Sequence, residues 1–252
     1  MAFPNFKNKH LEEALFHPEE FIAYKKIEIS HLPKKYLLIY DKKLLARLLR
    51  KYKLRPDNKL NRVLAHVRSY TYKDISIIKI NGIGSPHAVT VFEELIALGG
   101  KLFISIGTAG GLQQEGIFLC EKAIRDEGTS SHYEAHEKYA YPDKILTDNL
   151  EKSLKYKGLN FKRSTSWTID APYRETKAEI KQYKEEGVAT VDMEASALFA
   201  VARLRKVKIA SAFIVSDVLG EKWEPKFHHF NTKKGLNDLV EASLHCLSNI
   251  NL

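Results

Sequence analysis

Short runs of apolar residues alternate along the chain with stretches whose apolar residues recur at helical spacing. The apolar runs at residues 36–40, 75–80, 102–106, 189–191 and 209–215 predict buried strands. Helical spacing follows at residues 44–52 and 193–205, and in HAVTVFEELIAL, which comes after Ser85 as N-cap and Pro86 as first-turn proline. Strands that alternate with helices predict an α/β fold with a largely parallel sheet.

The chain of 252 residues is long enough for one large domain, and no repeat or long linker divides it. We therefore expect a single domain over residues 1–252. Hydrophobic residues make up 44%, which is enough to fill a core and excludes a disordered chain. No apolar run approaches the roughly 18 residues that span a membrane. Cys120 and Cys246 are too far apart in sequence for a metal or disulfide motif. These features favour a cytoplasmic protein with no metal site and no membrane contact.

Positive charge is concentrated in one segment of the chain. The net charge is +9, and eleven Lys and Arg residues lie within residues 34–62, against only Asp41 and Asp57. The stretch LLARLLRKYKL places cations between apolar residues at helical spacing, which is typical of a helix with one solvated face. Cations that hold a phosphate or a neighbouring subunit are the alternative. No nucleic-acid-binding motif accompanies the charge, so we expect no nucleic-acid partner.

Four short segments follow the predicted strands and look unlike core packing. They are NGIGSP (residues 81–86), GTAGG (107–111), VDME (191–194) and SD (216–217). Ligands bind at the carboxyl ends of parallel strands, so we expect these segments to line one site. Each has a purely structural alternative: tight turns at the glycines, with GTAGG ending its strand, a helix-dipole contact for VDME, and a helix N-cap at Asp217.

The residue types in these segments suit the cleavage of a bond between a sugar and a base. Free N–H groups near Gly84 at a helix start, and the hydroxyl and N–H of Thr108, can bind a phosphate. Glu194 can accept hydrogen bonds from sugar hydroxyls while Met193 packs against the sugar. Asp217 can protonate a leaving purine, because a purine anion is a poor leaving group and a carboxyl kept protonated by its surroundings eases departure.

The segments GIGSPHAVTVFEEL, ISIGTAGG, RDEGTSSHY, VDMEASALF and VSD occur in an order and at intervals that resemble the uridine and purine nucleoside phosphorylase family. The resemblance covers residues 62–219. It implies a three-layer α/β/α sandwich with a mixed, partly barrel-like central sheet. It also implies a pentosyltransferase that acts on a nucleoside with inorganic phosphate as co-substrate and without a further cofactor. A homodimer or homohexamer is implied as well, with active sites that share residues across a subunit contact.

The resemblance assigns roles to individual residues. Thr108 matches the Ser or Thr that binds phosphate and ribose, and Met193 and Glu194 match the pair that holds ribose, with Glu194 on the 2′- and 3′-hydroxyls. Asp217 matches the aspartate that protonates a purine. Arg62 is the candidate for an arginine that reaches phosphate from a neighbouring subunit. The full implied set is Thr108, Arg62 and Gly84 for phosphate, and Ala109, Gly110, Trp167, Thr168 and Ile169 for the base.

Two parts of the family's phosphate site are missing from this chain. The family has Gly-Asp-Pro and an arginine after its first strand, where this chain has Asp41-Lys42-Lys43. A second family arginine lies three residues before the Ser or Thr of the glycine loop, where this chain has Ser105. Lys42 or Lys43 can replace one charge, although lysine lacks the planar fork of arginine. Each lost charge-assisted hydrogen bond is worth about 1.5–3 kcal/mol, so we expect weak phosphate binding.

Three functions stay open on the sequence. Phosphorolysis of a nucleoside is favoured. Nucleosidases of the same superfamily use water and also lack these arginines, but they orient the water with a glutamate on an N-terminal GAMEEE loop, which this chain does not have. A non-catalytic nucleoside-binding sensor is the third function. A purine is favoured over a pyrimidine, because Asp217 is present and DAPYRETK has no glutamine beside Arg174 to read uracil.

Overall fold

The computed structural model describes residues 4–26, 32–64 and 66–251. Its strands are β1 (Lys35–Ile39), β2 (Arg55–Pro56), β3 (Val67–Tyr72), β4 (Ile75–Ile80), β5 (Leu102–Gly111), β6 (Ile117–Asp126), β7 (Tyr139–Ala140), β8 (Phe161–Ile169), β9 (Val188–Asp192), β10 (Lys208–Leu219) and β11 (Trp223–Pro225). Its α-helices are α1 (Pro18–Tyr24), α2 (Lys42–Tyr52), α3 (Asn58–Val63), α4 (Ser85–Ala97), α5 (Lys144–Tyr156), α6 (Lys177–Glu185), α7 (Ala195–Arg205) and α8 (Phe230–Ser248). Strands and helices therefore alternate as the apolar pattern predicts.

The strands form one mixed sheet with a closed part and an open part. In the closed part, β5, β10, β6, β8 and β9 pair in turn, and β9 pairs with β5 again to complete a barrel. The open part extends from β5 through β1, β4, β3 and β2. β1 is parallel to β4 and β5, whereas β6 is antiparallel to β10. This arrangement confirms the expected sandwich with a partly barrel-like sheet.

Helices cover both faces of the sheet. On one face α1 and α7 both pack against α4, and Phe92 and Phe199 are part of the core between these helices and the sheet. On the other face α2 and α5 both pack against α8, with Leu44 and Leu239 in the core. These two apolar layers fix the strands between them, so the ends of the strands are held as a rigid platform.

The basic segment at residues 34–62 includes α2, and the apolar side of this helix faces the core as predicted. Its buried residues are Leu44, Leu45 and Leu48. The polar side borders α8, where the Arg47 side chain donates to Asn237 at 3.0 Å and Lys51 pairs with Glu241. None of the described helices is long and apolar enough to cross a membrane.

Three predicted boundaries are wrong: two are the ends of strands, and the third is the start of α4. β5 runs through the whole of GTAGG, because these residues keep pairing with β10 and, at the end, with β9. β10 runs through Ser216 and Asp217, so Asp217 lies in a strand and is not a helix N-cap. The N-cap of α4 is Gly84, and Ser85 is the first helical residue.

Candidate active site

One cavity lies at the carboxyl ends of β5 and β10, beside the junction of β9 and α7. Its volume is about 330 Å³, which is in the range of small-molecule sites. Residues from all four of the predicted segments line it, so these segments meet as expected. The lining residues are Tyr40, Ile83, Ser105, Gly107, Thr108, Ala109, Gly110, Pro172, Glu175, Val191, Asp192, Met193, Glu194, Ala195, Ser211, Phe213, Ser216, Asp217 and Phe227.

Glu194 is held at the cavity wall by a contact between two distant segments. It is the N-cap residue of α7, and its Oε1 accepts a hydrogen bond from the backbone N–H of Gly84 at 2.6 Å. Gly84 can adopt the required backbone because its φ of 91° lies in the region that favours glycine. Burial, together with the charge of Asp192, raises the pKa of Glu194 to about 7. The Gly84 contact therefore fixes the direction of a carboxyl group that changes charge near neutral pH.

Asp192 positions this part of the site through hydrogen bonds to the start of α7 and to β8. Its Oδ2 accepts hydrogen bonds from the backbone N–H groups of Glu194 (2.8 Å) and Ala195 (2.6 Å). Its Oδ1 accepts hydrogen bonds from the hydroxyls of Ser166 (2.8 Å) and Thr168 (2.9 Å). The two carboxylates of VDME therefore differ in role, because Asp192 holds the start of α7 while Glu194 is left to face the cavity.

We expect Asp192→Ala to lower the free energy of unfolding by roughly 3 kcal/mol or more, since each buried donor that loses its acceptor costs about 1–3 kcal/mol. Urea denaturation followed by circular dichroism measures the change. Asp143→Ala is the matched control, because Asp143 caps α5 through a single side-chain hydrogen bond from the N–H of Leu146 (2.7 Å). Removal of such a cap typically costs about 1 kcal/mol. Equal losses in the two variants would contradict the central role of Asp192.

A β-bulge at Ser216 sets the direction of Asp217. The pairing of β10 with β5 skips from Val215 to Asp217, so Ser216 is the extra residue. Asp217 Oδ1 accepts a hydrogen bond from the Ser216 hydroxyl at 2.9 Å, and Oδ2 accepts one from the indole N–H of Trp223 at 2.9 Å. A β-carbon at Gly110 would lie only 2.8 Å from Val191 Cγ1, so the close approach of β9 to β5 requires glycine here. Asp217 lines the cavity beside this glycine.

The structure brings six of the predicted site residues to the cavity. They are Thr108, Ala109, Gly110, Met193, Glu194 and Asp217. Gly84 is not among the lining residues, and its N–H is already bonded to Glu194. Gly84 therefore supports the site through Glu194 and does not offer a free donor to phosphate, which corrects the expected anion contact at this residue.

The predicted base contacts on β8 do not reach the cavity. Trp167 is fully buried, its indole N–H donates to Asp126 at 2.8 Å, and its ring contacts Tyr183. Ile169 packs in the same apolar cluster as Trp167. Thr168 lies on the other face of the strand, where Asp192 takes its hydroxyl hydrogen bond. Because successive residues of a strand alternate between faces, these three could not all contact one ligand, and the structure assigns them to packing.

The predicted cationic residues lie outside the cavity. Arg62 is exposed in α3, and Lys42 and Lys43 are exposed at the start of α2. None of these three side chains lines the cavity. Lys42 and Lys43 therefore do not replace a missing arginine charge in the cavity of this chain. The role of Arg62 across a subunit contact concerns a second chain and stays a prediction.

The sequence matches the family model described as the phosphorylase superfamily over residues 29–248. The chain belongs to this superfamily. It is similar to the purine nucleoside phosphorylase of Plasmodium vivax, with 29% identity over 201 residues that cover 72% of this chain and 79% of that protein. It is 30% identical over 149 residues to the uridine phosphorylase of Treponema pallidum, covering 53% of this chain and 58% of that protein. Among solved structures, the AMP nucleosidase of Bacteroides thetaiotaomicron shares the fold, with a TM-score of 0.73, 20% identity, and coverage of 93% of this chain and 100% of that one.

The ionisable side chains that line the cavity are all acidic. Four carboxyl side chains line it, namely Glu175, Asp192, Glu194 and Asp217. Among the described residues no Lys, Arg or His lines it. Since like charges repel strongly where water is partly excluded, the cavity of the single chain favours neutral or cationic ligands over anions.

Hydroxyl groups line the wall where the sequence analysis finds the family arginines missing. The hydroxyl of Tyr40, which follows β1 directly, lies 3.2 Å from Ser105 Oγ. Ser105 is in register with Ser211 on β10, and Ser211 Oγ is buried with no hydrogen-bond partner among the described residues. Burial and the charge of Glu194 raise the pKa of Tyr40 well above its ordinary value. This wall is therefore polar and uncharged.

Three polar residues of the cavity were not predicted, and each has a signal in the sequence. Tyr40 is a polar ring at the end of a predicted buried strand, where its hydroxyl needs a partner. Ser211 interrupts an apolar strand. Glu175 is a carboxylate in DAPYRETK, the stretch beside the segment implied to contact the base.

Proposed function

We propose that this protein cleaves the N-glycosidic bond of a purine nucleoside and transfers the ribosyl group to water, releasing the free base and ribose. The observation that carries the proposal is a single cavity that holds Glu194, Asp217 and an uncharged, hydroxyl-lined wall. The bond that is cleaved is the one expected from the sequence. The nucleophile differs, because water replaces phosphate.

Glu194 suits the ribose end of the substrate. Its Oε1 is fixed by the Gly84 N–H at 2.6 Å, so the carboxyl group has one preferred direction. As a carboxylate it accepts hydrogen bonds from the 2′- and 3′-hydroxyls, and hydrogen bonds to a charged group are the stronger kind. Met193 lines the cavity next to it and offers an apolar side chain to the sugar face.

Asp217 suits the base end. It lines the same cavity as Gly110, Ser216 and Phe227. A carboxyl group that protonates N7 of a purine converts the base into a neutral leaving group, and such acid catalysis contributes typically about 10²–10⁴-fold. A uracil ring has no nitrogen equivalent to N7, so an acid at this position favours purines. The carboxylates of the cavity also stabilise the positive charge that develops on the ribosyl group.

The charge of the cavity supports water as the nucleophile. A phosphate anion would lie among carboxyl groups, and no Lys, Arg or His among the described residues lines the cavity to offset the repulsion. At an effective dielectric constant of 20, two like unit charges 4 Å apart repel by about 4 kcal/mol. Water carries no charge and avoids this cost.

The hydroxyl wall supplies a place for that water. A buried water molecule needs about two to four polar partners. Tyr40, Ser105 and Ser211 offer hydroxyls that line the cavity, and Ser211 Oγ has no other partner among the described residues. We therefore assign the attacking water to this wall.

Phosphorolysis is the second candidate, and two observations favour it. Proteins named as purine nucleoside and uridine phosphorylases are 29% and 30% identical to this chain over the matched regions. Arg62 is exposed on α3, so it is free to reach the cavity of a neighbouring copy, with phosphate then held by Thr108.

We expect the purified protein to release base and free ribose from inosine or guanosine at the same rate with and without phosphate. Chromatography of both products separates the alternatives, with uridine as the pyrimidine comparison. Ribose 1-phosphate formed only in the presence of phosphate would overturn hydrolysis and establish the second candidate. Nucleoside binding by calorimetry without any product would identify a non-catalytic sensor.

A further inference from the structure

We propose that Glu175 is a second catalytic acid, and that the carboxyl groups of Glu175 and Asp217, which line one cavity, together carry one proton that is delivered to the leaving base. This inference rests on the proposed function, because it names the source of the proton that the departing purine needs. It does not depend on whether water or phosphate takes the ribosyl group.

Glu175 is placed at the cavity by rigid neighbours in the chain. It lines the same cavity as Asp217. Before it comes a short 3₁₀ turn, Pro172–Arg174, and after it comes Thr176, the N-cap of α6, which forms a capping box with Glu179. The backbone on both sides of Glu175 is thus fixed, so its side chain is presented to the cavity in a defined position.

Both oxygens of Asp217 already have hydrogen-bond donors from the protein. One oxygen accepts a hydrogen bond from the Ser216 hydroxyl and the other accepts one from the Trp223 indole, both at 2.9 Å. These two contacts fix the direction of the Asp217 carboxyl group at the cavity wall.

Glu175 has the opposite surroundings. It is half-buried, and its carboxyl group has no hydrogen-bond or ion-pair partner among the described residues. The groups that face it are acids, Asp217 from β10 and Glu179 from α6, while Arg174 of the preceding turn is exposed. Burial and these two charges raise the pKa of Glu175 to about 7. Since two neighbouring carboxylates resist joint ionisation, one proton stays on the pair near neutral pH.

The proton balance of the step is complete without a further reactant. As the C1′–N9 bond breaks, its electron pair goes to the base, and the proton of the carboxyl pair bonds to N7. The base departs as a neutral tautomer, and the oxygen of water bonds to C1′ of the ribosyl cation. Water gives up one proton, and an equivalent proton from solvent restores the carboxyl pair.

We expect Glu175→Gln to lower kcat for inosine by about 10²-fold, because the amide cannot supply a proton. The wild-type kcat should fall as the pH rises above about 7, where Glu175 loses its proton, and the variant should lack this alkaline limb. The Glu175→Gln variant should cleave 4-nitrophenyl riboside at close to the wild-type rate, since the leaving group of this substrate needs no protonation.

The double variant Glu175→Gln/Asp217→Asn should be little slower than the slower single variant, because both changes remove the same proton. Glu185→Gln is the matched control, with an exposed carboxylate at the end of α6, the helix that follows Glu175.

The outcomes separate this inference from the proposed function. If the wild type cleaves neither inosine nor 4-nitrophenyl riboside, the proposed function fails. If the wild type cleaves both and Glu175→Gln keeps the wild-type rate and pH profile on inosine, the acid pair is overturned and the function stands. Equal losses on the two substrates would assign Glu175 a structural role and would also overturn the acid pair.

Discussion

Asp217→Asn is expected to lower kcat for purine nucleosides by about 10²–10⁴-fold, the range that a positioned acid contributes. The amide keeps the shape of the side chain, and its oxygen can still accept one of the two hydrogen bonds that Ser216 and Trp223 donate. It cannot supply a proton to N7, either alone or as a member of the pair with Glu175. The purine then has to leave as an anion, so the barrier to bond cleavage rises. Base release from inosine and guanosine, followed by chromatography, measures the change.

Two controls separate the loss of an acid from a disturbed fold. Asp238→Asn removes a half-buried carboxylate on α8 that pairs with Lys234 outside the cavity, and it should leave the rate unchanged. With 4-nitrophenyl riboside, Asp217→Asn should remain nearly as active as the wild type. A variant that keeps the wild-type rate on inosine would show that Asp217 takes no part in proton transfer.

The place of the site could be predicted from the sequence, because the rule behind it depends only on strand order. Segments that leave the carboxyl ends of neighbouring strands meet at one edge of the sheet. The distant segments around Gly84 and Glu194 do meet there, at 2.6 Å. The apolar pattern also predicted the central strands and the helix α2, because apolar residues recur on the face of an element that is buried.

The details that decide the chemistry could not be predicted in the same way. The direction of Asp217 depends on a β-bulge at Ser216, and an extra residue leaves no mark in the apolar pattern. The assignment of Trp167 to the base failed because the resemblance locates a segment and not the face of the strand that each residue occupies. Glu175 lies in a 3₁₀-linked loop, where side-chain positions follow from turn geometry rather than from periodicity.

Charge is where the resemblance and the structure differ most. Similar segments imply a phosphate site, yet the lining formed by the described residues has carboxyl groups and no cation. Ser105 lies where the resemblance implies an arginine, and the Tyr40 hydroxyl lies 3.2 Å from it. Ser105 keeps its pairing with β1 and β10, so the strands around this position are intact. A fold can therefore persist while the residues that decide its chemistry differ.

Glu194→Ala is expected to lower kcat/KM for ribonucleosides by about 10²–10⁴-fold. Two hydrogen bonds from the 2′- and 3′-hydroxyls to a carboxylate would be lost, each worth about 1.5–3 kcal/mol. With 2′,3′-dideoxynucleosides the loss should be much smaller, because these substrates lack the hydroxyls. Steady-state kinetics with matched ribo- and dideoxynucleosides measure the difference. Equal losses on both substrate types would refute the contact with the hydroxyls.

Glu194→Gln tests the same carboxyl group through protein stability. The raised pKa of Glu194 determines whether the free energy of unfolding rises or falls with pH. The folded protein keeps the Glu194 proton up to about pH 7, whereas the ordinary value is 4.5. Between these values the folded state binds more protons than the unfolded chain, so the free energy of unfolding of the wild type falls as the pH rises. At about 1.4 kcal/mol per pKa unit the fall is on the order of 3 kcal/mol, and glutamine avoids it because it does not ionise.

The Gln variant should therefore be more stable than the wild type at pH 8 and no more stable at pH 4, as measured by urea denaturation at both values. The amide oxygen can still accept the Gly84 N–H, so the packing of α7 is kept. A stability difference that is the same at both pH values would contradict the raised pKa. The Glu194 carboxylate lowers stability near neutral pH, yet Gly84 holds it in one direction. A role in binding the hydroxyl donors of the substrate would explain why such a carboxylate is present. Bound ribose would then stabilise the charged form and restore the stability that the empty site lacks.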